Sequence, residues 1–139
     1  MTTDSKLFEE LSFYTLLHSD SDYFIHQLIV DAFTAQTANK DTKKISLVFS
    51  LVGLYLLIEK NYTGKQIQQA HTVLSNYKDY LPEIKLPENR GEITISEVLK
   101  SELNRDEMIK KWCSSVWKEY ESSKEEIKRF CEIYLFGKQ

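Results

Sequence analysis

Apolar residues recur along the chain at helical rather than strand spacing. Over residues 5–18, Leu7, Leu11, Tyr14 and Leu17 lie three or four positions apart, which is the period of one helix face. The tetrapeptide Ser19-Asp20-Ser21-Asp22 breaks this pattern and offers N-caps for a second segment at 22–37. With His26 set at zero on a helical wheel, Tyr23, Ile29, Val30 and Phe33 all fall within about 60° of it. This predicts a buried His26 ring. A polar turn at 38–41 leads to a third segment, 42–60. Its run 45–58 is fourteen residues interrupted only by Ser46, Ser50 and Gly53. Such a run is short of the roughly twenty residues a bilayer span takes. A helix apolar nearly all round belongs at a bundle centre or in a subunit interface.

The fourth segment opens with a capping-box pattern, Thr63 at the N-cap and Gln66 at N3, and carries the stripe Ile67, Ala70, Leu74 and Tyr77. Both prolines, Pro82 and Pro87, fall in the stretch 81–92 with Asn89 and Gly91, so this is the expected mobile loop. Thr94 or Ser96 caps a short helix running to about Leu103. A last helical region follows to about Phe136, with Ser122-Ser123 as the place for a kink. Alternation occurs only at 92–95, too short to build a sheet. The expected fold is all-α, one domain over 1–139, a bundle of five to six helices.

Composition narrows the class. The 139 residues are 42% apolar and 28% charged, with 4 glycines and 2 prolines, a profile that excludes a disordered tail or a disulfide-knotted miniprotein. The net charge of −3 supplies no strong basic field, and only Lys40, Lys43, Lys44 and Lys60 begin a basic stripe. Nucleic acid is therefore not an expected partner. Cys113 and Cys131 would lie roughly 27 Å apart on a continuous helix, too far for a disulfide. They read as buried, reduced thiols. Residues 1–8 lack the basic start and apolar core of a signal peptide, so the expected setting is cytoplasmic, with no membrane partner.

The candidate chemistry is sparse. His18, His26 and His71 come from three different segments, as a metal site in a bundle core requires. No pair has the i, i+3 or i, i+4 spacing of a helical metal motif. His18 suits a helix C-terminus without a ligand. Glu59 shares a face with Val48, Val52 and Tyr55 near the end of its helix. If the second and third segments pack antiparallel, His26 and Glu59 become neighbours, as a structural hydrogen bond, a pH-sensitive latch or an acid/base unit. These two are the catalytic candidates, and His26, Glu59 and His71 are the metal candidates. Asp31 falls in a polar sector with Gln27 and Thr34, where solvent or a neighbouring helix accounts for it. Trp112 and Trp117 point in different directions, one expected in the core and the other, with Tyr120, at an interface or groove rim. No phosphate loop, dinucleotide fingerprint, nucleophile elbow or paired C-x-x-C is present.

The block His26-Gln27-Leu28-Ile29-Val30-Asp31-Ala32-Phe33-Thr34-Ala35-Gln36, read as H-x-L-x-x-D-A-aromatic-x-x-Q, carries a resemblance. With 51–59, 94–99 and Trp112 to Trp117, it resembles an uncharacterised family of small bacterial proteins, a domain of unknown function, over about residues 14–130. The resemblance implies that His26, Asp31, Gln36 and Glu59 are the family-matching polar positions. Relatives often carry histidines near the positions of Thr37, Ser50 and Lys124, and some carry a cysteine pair before the first helix. This chain has none of these, which counts against a metal enzyme. The family label implies no activity.

Two functions remain in view. The favoured one is a helical module that binds a protein partner, with a homodimer formed through the third segment and the tryptophan-bearing last helix. The alternative is a metal-binding or hydrolase-like bundle using His26 and Glu59, with Asp31 or His71 as further members and the 82–91 loop as lid. No cofactor is expected under the first, and a divalent metal under the second.

Overall fold

The computed structural model describes residues 4–17 and 23–137. Among these residues the chain is all-α, with seven α-helices and no strand. They are α1 (Asp4–Leu17), α2 (His26–Thr37), α3 (Lys44–Lys60), α4 (Gly64–Leu74), α5 (Ile95–Lys100), α6 (Arg105–Glu119) and α7 (Lys124–Cys131). The seventh helix arises because the last helical region breaks beside Ser122-Ser123, in a 3₁₀ turn at Glu121–Ser123. His18 and the proposed caps at 19–22 lie outside the described residues.

The third segment forms the bundle centre. Every residue from Ser50 to Leu57 is buried, with Leu47 and Val48, because α3 is packed by α2, α4, α6 and α7 on its several sides. It ends where Asn61 takes the left-handed conformation (φ 59°) and its N–H closes on the Leu56 carbonyl, a C-cap that asparagine tolerates. The α4 capping box forms as the sequence predicts: Thr63 accepts from Gln66 N–H at 3.2 Å and Gln66 Oε1 accepts from Thr63 N–H at 2.9 Å. A second box, Thr94 with Glu97, starts α5. Gly64 is required where it stands. A Cβ there would overlap the Phe24 carbonyl, and Lys65 N–H donates to Tyr23 O at 3.2 Å. The chain before α2 is thereby tied to the first turn of α4.

Two expectations need correction. Trp112 and Trp117 are both buried core residues, because α6 is covered by α2, α3 and α5 and has no apolar side left for a partner. The stretch 81–94 is a fixed strap rather than a mobile loop or lid. Leu81, Ile84, Leu86 and Ile93 pack against the core, Lys44 pairs with Glu83, and Lys85 N–H donates to Ser123 Oγ at 3.0 Å. Arg90 fastens its far end. The guanidinium Nη1 donates to the carbonyls of Ala35, Gln36 and Ala38 at 3.3, 3.2 and 2.7 Å, satisfying the C-terminal carbonyls of α2 and complementing its dipole. Gly91, at φ 110°, lies tight against Ser115, a backbone position suited to glycine.

Cys113 and Cys131 are free and buried. Burial pushes the Cys113 thiol up, and burial with the nearby Glu132 pushes Cys131 to about 12, so both stay protonated and unreactive. Among the described residues, no helix is long and apolar enough to cross a membrane.

Candidate functional site

His26 is the first residue of α2, and its ring is half-buried rather than buried as the wheel predicts. Its Nδ1 lies 2.9 Å from Thr15 Oγ1, and that hydroxyl donates its only hydrogen to the Ser12 carbonyl at 3.0 Å. Thr15 must therefore accept from His26, which places the imidazole proton on Nδ1. Burial alone lowers the His26 pKa, with no carboxylate close enough to oppose it.

Glu59 is held elsewhere. Its Oε2 accepts from Trp117 Nε1 at 2.8 Å and its Oε1 pairs with Lys128 Nζ at 3.2 Å. Burial pushes the Glu59 carboxyl up, but these donors outweigh it and the net shift is downward. His26 and Glu59 do not pair. The partner of His26 stands on α1 and those of Glu59 on α6 and α7, so the two residues are engaged with different elements. His71 has a third set of contacts: its Nε2 lies 2.8 Å from the Phe49 carbonyl and its ring stacks on Phe49. Among the described residues no three His, Cys, Asp or Glu side chains are grouped to hold a metal ion, so the structure does not bring the proposed ligands together.

Gln36, half-buried, and Asp31, buried, lie further along α2. Gln36 is a junction: its amide donates to Arg90 O at 3.2 Å and Ile93 O at 2.8 Å, and its Oε1 accepts from Trp112 Nε1 at 2.9 Å. Asp31 is 2% exposed, so of the two accounts of its polar sector the neighbouring helix holds and solvent does not. The α2 helix is packed by α1, α3, α4 and α6, and Asp31 lies inside this packing while Val30, Phe33 and Thr34 are only half-buried. Asp31 Oδ1 accepts from Gln27 Nε2 at 3.1 Å, and Oδ2 has no partner. The carboxyl occupies the space that a Cβ on Gly53 would fill. Burial holds its pKa well above the usual carboxylate range, with Gln27 opposing only in part.

The family described as "Family of unknown function (DUF5946)" matches residues 5–121. The chain belongs to that family. His26, Asp31, Gln36 and Glu59 lie within the matched region, as do α2 to α6 and all but the first residue of α1, while α7 lies beyond it. No curated protein and no solved structure matches the chain.

The residues that sequence reasoning missed are Gln27, Gly53, Lys65 and Arg90. Gly53 carried a signal: a glycine inside an apolar helix costs about 1 kcal/mol against alanine and points to a close approach. Gln27 and Lys65 carried none, since isolated polar residues on a helix are ordinary.

Proposed function

We propose that the chain acts by binding a protein partner, and that the partner is a second copy of itself. The observation that carries this reading is the outer face of α1. Phe13, Leu16 and Leu17 are 67%, 55% and 65% exposed, at i, i+3 and i+4, while Leu11 and Thr15 on the inner face are buried. Large apolar side chains at this spacing form the anchor of a helix-to-helix contact. The third segment and the tryptophans are committed to the interior, so α1 takes the role first given to them. Three such side chains expose on the order of 300 Å², below what a tight interface buries; a weak dimer is the form in keeping with it. The reading places the protein in the cytoplasm, in keeping with two free, buried thiols. His26 and Glu59, engaged with separate partners, give the metal-binding or hydrolase-like alternative no support.

Sedimentation equilibrium across a wide concentration range tests the proposal. A monomer–dimer equilibrium is expected, shifted to monomer by Leu17→Glu with the thermal midpoint unchanged. A strict monomer at the highest concentration, or an undiminished dimer in the variant, would overturn it.

A further inference from the structure

A groove of about 500 Å³ lies between the start of α2 and the outer face of α4, lined by Gln27, Lys65, Gln68, Gln69, His71 and Thr72. Among the described residues its wall contains no carboxylate and one cation, Lys65. Two of its side chains are oriented from behind by interior contacts. The Phe49 carbonyl can only accept, so His71 Nε2 carries the proton, and Nδ1 is left as a lone-pair acceptor with no protein partner. Stacking on Phe49 fixes the plane of that ring. Gln27 gives an N–H to the buried Asp31, whose second oxygen is unpartnered, and Gln27 Oε1 is unclaimed by the protein. Two acceptors are thus preorganised, which lowers the ordering cost of binding.

The chemistry selects the ligand. A metal ion would meet the Lys65 ammonium and, among the described residues, no carboxylate. A bare anion would find Lys65 and little else, because three N–H groups at the start of α4 are already taken: Lys65 by Tyr23 O, Gln66 by Thr63 Oγ1 and Ile67 by Thr63 O. The two fixed acceptors call for hydroxyl donors, and Lys65 calls for one negative group. We propose that this groove binds a small polyhydroxylated anion, a sugar phosphate or sugar acid, whose hydroxyls donate to His71 Nδ1 and Gln27 Oε1 and whose charge meets Lys65.

The test is NMR titration of the His71 ring signals with glucose 6-phosphate and with gluconate, beside glucose and inorganic phosphate alone. Saturable shifts with either sugar anion are expected, at least about tenfold weaker with each half alone; which of the two binds more tightly distinguishes phosphate from carboxylate. Lys65→Ala, at an exposed position, is expected to weaken binding by about fivefold or more with the fold intact. No saturable shift up to about 20 mM overturns the proposal. So does an equal response to inorganic phosphate, which would mark an adventitious anion only, or a titration unchanged in Lys65→Ala.

Discussion

Replacing Asp31 with asparagine is expected to make the protein more stable at neutral and alkaline pH, by an amount that grows with pH. The wild-type acid is buried, one of its oxygens has no partner, and its folded pKa is raised well above 3.8. The folded state therefore keeps a proton that the unfolded chain gives up above its ordinary carboxylate pKa. In that window the unfolded state binds fewer protons, so stability falls as pH rises, by about 1.4 kcal/mol per pH unit until Asp31 ionises in the folded state. The contribution is fully present below pH 3.8 and is lost as pH climbs through the folded pKa. Asparagine keeps the shape and the acceptor for Gln27, carries no titrating proton and leaves its amide NH2, with two N–H donors, unpaired, at a cost of about 1–3 kcal/mol. Near pH 4 the variant should equal the wild type or be weaker. At higher pH the lost titration penalty exceeds the fixed cost and the order reverses. Urea unfolding of both proteins at pH 4 to 8 measures this directly. Parallel curves, with a constant difference between the two, would show that Asp31 is not held as a buried neutral acid and would refute the reasoning.

The same contact gives a second expectation at Gly53. Gly53→Ala should cost about 1–3 kcal/mol by overpacking against the Asp31 carboxyl, whereas in an Asp31→Ala background the added methyl should stabilise by about 1 kcal/mol through helix propensity; a double-mutant cycle without this reversal of sign would contradict the packing. Arg90→Ala should lower stability by about 2–3 kcal/mol, since it removes a charged donor from three carbonyls at the end of α2. Arg90→Lys should recover only part of that, because a single ammonium cannot also supply the Nε donor that meets the Pro87 carbonyl at 2.7 Å; urea midpoints decide it. Glu59 has a depressed folded pKa, so its contribution is present above about pH 4.5 and lost as pH falls through the folded value. Glu59→Gln should flatten that part of the acid limb in a pH-dependent melting series, and an unchanged limb would count against the Trp117 and Lys128 contacts as its source.

Local signals were legible in the chain, and many-sided packing was not. The Thr63 and Thr94 caps rest on residues three apart, and the central place of α3 follows from its uninterrupted apolar run. A helical wheel, by contrast, assigns one buried face. The α2 helix has neighbours on several sides, so Asp31, about 140° from His26, is more deeply buried than His26 itself. Trp112 and Trp117 went astray for the same reason: different directions on α6 lead into different parts of one core. The strap at 81–94 misleads by its prolines and glycine. Its order comes from Arg90 and Gln36, which meet across a sequence separation of 54 residues, a pairing that no local pattern encodes. His26 and Glu59 stand at the same end of neighbouring helices, as expected of an antiparallel pair, yet each turns to a different neighbour.

Three of the polar residues His26, Asp31, Gln36 and Glu59 make contacts between elements that account for them. His26 fastens α2 to α1 through Thr15, Gln36 fastens α2 to the strap and to Trp112, and Glu59 fastens α3 to α6 and α7. Each of these contacts joins polar atoms of different elements, and a match of this kind specifies how helices seat against each other. Asp31 is different, because it leaves an oxygen unmatched and raises the cost of the fold with pH. Any neutral side chain of its size would seal the α2–α3 contact against Gly53 at lower cost. What such a side chain without an acceptor would not do is hold the Gln27 amide. Removing the acid while keeping the acceptor, as Asp31→Asn does, should therefore leave the groove competent, whereas Asp31→Leu should release Gln27 and weaken sugar-phosphate binding even where the fold survives. Equal binding by the two variants would reduce Asp31 to a packing residue and separate it from the groove.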